Sequence, residues 1–407
     1  MGESTHGTQD FYQARIALSQ YLIENKGFQA IAIEGDWTST YPIHRYCKGE
    51  GDKETPESAL TAFKRFPTWM WRNTQMYKFI KYLRHYNDQF SSNTEKIGFY
   101  GLDLYCINES AQAVINYLQQ YHQEAAEKTI QRYSCFENAK FNPQLYGYLT
   151  DKNLTQACTR EVTKQFLEMQ HLIYQTSRSS LEDNDKLFYI LQNARIVKNA
   201  EKYYRALLEP YHITWNIRDQ HMADTLQNII AHIENTRSQP AKVIVWAHNS
   251  HIGDSRATEM FERNQLNLGQ LVRERFNTTP FLLGFSTAVG SVTAASEWDG
   301  PASYKKIQAP LTGSYEYLFH QLKEKNFLLN LNEDNKLTHL LKVSQLQRAI
   351  GVIYHPHTER MSHYYFSHLA YQFNALLHLD ITKALIPLDK KRALVSGDIP
   401  DTYPVGF

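Results

Sequence analysis

Glu3 and His6 stand three residues apart between two glycines, in the opening segment Met1-Gly-Glu-Ser-Thr-His-Gly-Thr8. An imidazole is suited to proton transfer near neutrality, and an adjacent carboxylate fixes its tautomer and raises its basicity. Gly2 and Gly7 allow a sharp turn and a close approach of backbone to ligand. The plain alternative is that Glu3 and His6 only cap the helix that follows. Three other segments carry similar side chains: Glu34 and Asp36 in Glu34-Gly-Asp-Trp37, Asp103 at the end of Ile97-Gly-Phe-Tyr-Gly-Leu-Asp103, and His248 and His251 in Ala247-His-Asn-Ser-His-Ile-Gly-Asp254.

Two chemistries suit this set. In one, His6 is a general base that takes a proton from water, and the water attacks a carbonyl. Glu3 or Glu34 orients the imidazole, and His248 or His251 donates to the oxyanion or protonates the leaving alcohol. In the other, His6, His248, His251 and Glu34 bind a metal that generates hydroxide. Residue types leave both open, although His-Asn-Ser-His is not the helical HExxH arrangement. Serine chemistry is disfavoured, since Gly284-Phe-Ser-Thr-Ala288 lacks the second glycine of a nucleophile elbow. The chain has neither a P-loop nor a GxGxxG motif.

Elements that could position these groups are legible in order. Apolar side chains at Phe11, Ala14, Ala17, Leu18, Tyr21 and Leu22 have helical spacing, and Gly27 stops them. Phe28–Ile33 reads as a strand, with a helix starting near Thr38 and an aromatic-rich helix over Thr68–Gln89. Ile97–Asp103 is the next strand. Asn108 to about Asn235 reads as four or five helices, within which Trp215-Asn-Ile-Arg-Asp-Gln-His-Met222 is a dense polar patch opening a helix at Asp219. Arg218 and Asp219 could form an ion pair there. Strands resume at Ala241–Trp246, Pro280–Phe285 and Ala349–Tyr354. Gly290–Ala294 is expected to pair with the second of these, and Tyr371–Leu379 is the last regular segment. Leu268–Phe276 is a helix. Strands alternating with helices predict an α/β fold, with a mostly parallel central sheet flanked by helices and a large helical insertion covering the site. The boundaries are 1–107 and 237–407 for the two halves of the core and 108–236 for the insertion. In a parallel sheet the strand tips share one edge, where ligands bind, so the four segments are expected to meet in one cleft.

Composition narrows the partners. A formal charge of +1 provides no basic field for nucleic acid. No apolar run reaches the roughly 18 residues of a membrane helix. The four cysteines, Cys47, Cys106, Cys135 and Cys158, form no CxxC pair. Their scatter argues against a cysteine-bound zinc and a disulfide framework, and for a reducing, cytoplasmic setting. The 27 tyrosines and 17 histidines suit a polar, aromatic-lined cavity.

Taken together, Gly-Glu-Ser-Thr-His-Gly-Thr, Ile-Glu-Gly-Asp-Trp, Asn-Ile-Arg-Asp-Gln-His-Met and Trp-Ala-His-Asn-Ser-His resemble the erythromycin esterase family in order and spacing, over Gly2 to about Gly290. The resemblance implies hydrolysis of a carboxylic ester, in the best-known members the lactone of a 14-membered macrolide. It matches His6 to the water-activating base with Glu3 beside it, and Glu34 to a second essential acid. His248 and His251 match the histidines of the second half, and Arg15 matches a site arginine. Substrate contacts are expected at Arg15, Asp36, Trp37, Asn249 and Arg218. The expected partner is a small ester or macrolide, with neither nucleic acid nor membrane, and the metal-independent route without a cofactor is preferred. Family members carry a strand before the first motif, whereas only Met1 precedes it here. Either the numbering begins inside a longer chain or that strand is lost; if it is lost, His6 is expected to be poorly anchored. Tyr354-His-Pro-His357 and His363 could line the substrate cleft, but read first as a polar loop.

Overall fold

The computed structural model describes residues 1–51, 55–179, 184–276 and 280–389. They fall into two units, the first drawn from Met1–Glu34, Pro42–Phe99 and Lys242–Phe407, the second from Gly35–Tyr41 and Tyr100–Ala241.

The fold is mixed α/β. Strands β1 (Ala30–Asp36), β2 (Gly98–Asp103) and β3 (Val243–Trp246) form a sheet in the order β2-β1-β3. β1 runs parallel to β3, with Ile31 opposite Ile244 and Ile33 opposite Trp246. Ala30, Ile31, Ala32 and Ile33 are all completely buried, the pattern of a parallel strand covered on both faces. Their cover includes Phe79 and Leu83 from the helix Thr74–Asn87, together with Trp69 and Trp71. The single helix expected over Thr68–Gln89 is thus divided. Thr68–Met70 is a 3₁₀ turn, and Asn73 caps the helix proper by accepting from the amides of Gln75 and Met76.

The second half of the first unit holds β4 (Leu283–Ser286), β5 (Val289–Ala294), β6 (Ser303–Ile307), β7 (Asn326–Asn330), β8 (Gln345–Arg348), β9 (Tyr364–Ser367), β10 (Ala375–Leu379) and β11 (Ile381–Thr382). β10 lies parallel to β4 and antiparallel to β7. β5 joins β11 in parallel and β6 in an antiparallel pair, rather than pairing with β4 as its sequence suggests. A second correction concerns Ala349–Tyr354, which is not a strand. The strand is β8, and beyond it the backbone bonds of Ile350 are diverted: its amide donates to Ser4 O, and its carbonyl accepts from the His6 amide.

Helix α1 (Gln9–Lys26) ends at Gly27, whose φ of 68° is the left-handed C-cap anticipated from sequence. Its buried residues are Phe11, Tyr12, Arg15, Ser19 and Ile23. Phe11 packs with Leu283, Phe285 and Ala375, while Tyr12 and Ile23 join the β1–β3 core. Tyr21, taken as part of the apolar stripe, is 53% exposed. The inward face holds an arginine and a serine, and apolar periodicity does not register these.

The second unit contains six α-helices among its described residues: Ile107–Tyr121, Gln123–Tyr133, Pro143–Asp151, Thr159–Ser179, Asn184–Arg205 and Tyr211–Arg237. Cys135 and Cys158 form a disulfide with Cα atoms 5.8 Å apart. That corrects the expectation drawn from cysteine scatter: residues 23 apart in sequence are brought together by the turn between helices. Cys47 and Cys106 are free and buried. Among the described residues, no helix is long and apolar enough to cross a membrane.

Candidate active site

The opening segment is fixed by main-chain bonds on every side. Met1 N donates to Val245 O and Met1 O accepts from Ala247 N, while Gly2 N donates to Leu283 O. The segment therefore bridges β3 and β4. Further on, Gly7 O accepts from both Thr293 N and Leu385 N, and Gln9 N donates to Lys383 O. A Cβ at Gly7 would collide with the Thr293 main chain, and one at Gly2 with Asn249 Oδ1. The segment that carries His6 is thus anchored by distant strands.

This path brings Glu3 and His6 against the loop after β3. Glu3 O accepts from Asn249 N at 2.8 Å. The Glu3 carboxylate, fully buried, receives Arg15 Nη2 on Oε2 at 2.6 Å and His6 Nδ1 on Oε1 at 3.0 Å. A carboxylate only accepts, so the His6 proton sits on Nδ1 and Nε2 carries the lone pair. Among the described residues the Nδ1 bond is the only hydrogen bond of the His6 ring. The ring retains 8% side-chain exposure.

The His6 and His248 ring centroids are 4.7 Å apart, tilted at 43°. His248 Nδ1 accepts from Ser250 N at 3.3 Å and lies 2.9 Å from Ser250 Oγ. The ring is therefore the neutral tautomer with its proton on Nε2, a buried atom that faces the Ser4 main chain without a well-aligned hydrogen bond. Burial first, and then the neighbouring His6, hold this imidazole well below its ordinary range. Glu34 ties the same loop down: Oε2 accepts from His248 N at 2.8 Å, and Oε1 lies 3.3 Å from His251 Nε2. Glu34 O accepts from Trp71 Nε1 at 3.1 Å. Glu3, His6, Glu34, His248 and His251 are thus gathered in the first unit.

The expected substrate contacts fare differently. Arg15 has no exposed surface and meets Glu3, not solvent. Asn249 is also fully buried, and its amide is spent on Phe285, donating to O at 2.7 Å and accepting from N at 3.2 Å. Both are internal groups in this structure. Asp36, Trp37 and Arg218 belong to the second unit. Asp36 Oδ1 accepts from Tyr105 N at 3.0 Å. Trp37 stacks on Tyr100 and Tyr189, with 3% exposure. Arg218 pairs bidentately with Asp103, at 2.7 and 2.8 Å. The helix starts at Tyr211, not at Asp219, so Arg218 is interior to it. In the polar loop, His355 N donates to Nε2 of the buried His363 at 3.0 Å.

Sequence reasoning missed Ser250, which sets the His248 tautomer, and the rings around Arg15. The polar i, i+4 spacing of Arg15 and Ser19 on an otherwise buried helix face was the available signal. Among the described residues, no group of three or more His, Cys, Asp or Glu side chains is disposed to hold a metal ion.

An α/β scaffold presenting a carboxylate-oriented histidine at its strand tips is a hydrolase-like arrangement. The family model described as erythromycin esterase matches residues 23–382, and the chain belongs to that family. Erythromycin esterase type II of Escherichia coli is 22% identical over 334 residues, covering 78% of this chain and 76% of its own. YbfO of Bacillus subtilis (strain 168), whose name marks it provisionally as a hydrolase, is 21% identical over 341 residues, covering 78% and 70%. Two solved structures share the fold. One, titled a succinoglycan biosynthesis protein, has a TM-score of 0.73 at 21% identity, covering 95% of this chain and 88% of that one. The other, an erythromycin esterase variant (EreC) in its open conformation, has a TM-score of 0.64 at 15% identity, covering 94% and 90%. Family and relatives together support a hydrolase.

Proposed function

We propose that the protein hydrolyses a carboxylic ester, with the lactone of a 14-membered macrolide as the substrate class. The observation that carries this reading is the Arg15–Glu3–His6 chain, which leaves the Nε2 lone pair of His6 unspent. His6 Nε2 takes a proton from water as the water oxygen bonds to the ester carbonyl carbon. Glu3 stabilises the imidazolium that forms. Nε2–H of the neutral His248, only weakly engaged by the Ser4 main chain, is the donor suited to the developing oxyanion. The tetrahedral intermediate then expels the alkoxide, which takes the proton back from His6. The products are a carboxylate and an alcohol, and in a lactone both stay in one opened chain. Glu34 keeps His248 and His251 in place.

Incubation with erythromycin and a panel of simple esters tests this, by looking for a mass gain of one water on the lactone. Gain by the wild type but not by His6→Ala supports the base assignment. No gain on any ester rejects the reading. Loss of turnover in chelator would instead favour a metal-dependent hydrolase, and binding of the macrolide without turnover would favour a sequestering protein.

A further inference from the structure

Arg15 is held by rings more than by hydrogen bonds. Its guanidinium carbon lies 4.5 Å from the Tyr12 ring centroid and 4.8 Å from that of Trp246. Nε and Nη1 are buried and make no hydrogen bond of good geometry, although the guanidinium also acts on the Tyr12 hydroxyl. The guanidinium is flanked by the two aromatic rings, a cation–π arrangement that offsets the cost of burying its charge. Each ring is itself fixed. Tyr12 OH donates to Met70 O at 2.6 Å. Trp246 Nε1 donates to Ser19 Oγ at 3.1 Å, and Phe79 stacks on the indole with centroids 5.0 Å apart. Only Nη2 is left to reach Glu3, and it does so at 2.6 Å.

We infer that Tyr12 and Trp246 are positioning residues for the base: they clamp Arg15 against Glu3, so that the carboxylate stays directed at His6 Nδ1. The titratable groups around this unit are Glu3 and His6 on the opening loop, Arg15 on α1 with the Met1 amino group near it, and His248 with Glu34 and His251. A fully buried carboxylate without its cation draws a proton onto the Glu3–His6 pair. If the clamp is lost, the imidazole stays protonated to higher pH and less free base remains near neutrality. Sequence proximity hides the arrangement, since Trp246 is 231 residues from Arg15 (246 − 15).

The inference deepens the esterase reading and rests on it for any effect on turnover. Its test does not need turnover: the His6 ring is titrated by NMR in the full-length protein. In Trp246→Leu the midpoint should rise by about one pH unit, whereas Trp246→Phe, which keeps a ring face, should stay near wild type. Tyr12→Leu and Tyr12→Phe repeat the comparison where Trp246→Leu fails to fold. A folded Leu variant with the wild-type midpoint overturns the clamp, as does a Phe variant that shifts as far as the Leu variant. In the wild type, ring currents should move the Arg15 side-chain resonances upfield, and unshifted resonances overturn it without any variant. If turnover is active, its acid limb should move up with the midpoint. If no ester is hydrolysed, the esterase reading falls while the titration still decides the clamp.

Discussion

The imidazoles of His6 and His248 meet with ring centroids 4.7 Å apart, although 242 positions separate them (248 − 6). They are not equivalent. His6 gives its Nδ1 proton to a carboxylate, while His248 accepts at Nδ1 and presents N–H at Nε2. One ring is thereby arranged to accept a proton and the other to donate a hydrogen bond. His248→Asn, which keeps an N–H donor, should retain more ester hydrolysis than His248→Ala, and the His248→Ala loss should fall on kcat by about 100-fold or more. Equal rates for the two variants would contradict the donor role.

His6→Ala should lower kcat roughly 100- to 10,000-fold, the range for a positioned base, while leaving the circular dichroism spectrum unchanged. The loop is held by its main chain, through Ser4, Gly7 and their partners, so the fold does not depend on this ring. Retained turnover would move the base elsewhere.

Glu3→Gln and Arg15→Met should each destabilise the protein by about 3–5 kcal/mol, because each leaves a buried charge without its partner. Both side chains have 0% exposure. The double variant should recover part of that loss in a denaturant titration. Additive losses would mean that the two charges do not act as a pair.

Stability should decline on mild acidification. His221 accepts from Asn199 at Nδ1 (2.9 Å) and donates to Thr225 from Nε2 (3.2 Å), so it is neutral. Burial pushes it from 6.5 down to about 4, against the opposing pull of Asp103 and Asp224. Below pH 6.5 the unfolded chain binds a proton that the folded chain refuses until about pH 4, so stability present above 6.5 is lost as pH falls through that window. For this residue the loss is about 3 kcal/mol, and the depressed His248 acts in the same direction. The denaturation midpoint should fall over this range, and less steeply in His221→Gln.

Thiol counting checks the disulfide. Denatured, unreduced protein should show two reactive thiols, Cys47 and Cys106, and four after reduction. In the native state neither should react, since burial pushes both thiols up, Cys106 to about 12. Four thiols without reductant would remove the Cys135–Cys158 bond.

Much of the architecture was already decided by local chemistry. The stop at Gly27, the run Ala-Ile-Ala-Ile of β1 and the glycine-flanked Glu3-Ser-Thr-His6 are short-range patterns, set by backbone sterics and by which side chains leave water. They announced an α/β chain with acids and imidazoles at strand tips. Tertiary structure alone decided which of those groups meet. Glu3, His6, Glu34, His248 and His251 come together because the first residues bridge β3 and β4, and no residue-level periodicity encodes that bridge. It also turned Arg15 and Asn249 inward, where a buried polar group is stable only with partners supplied from far along the chain. Such partners depend on geometry, and a pattern of apolar and polar letters contains none.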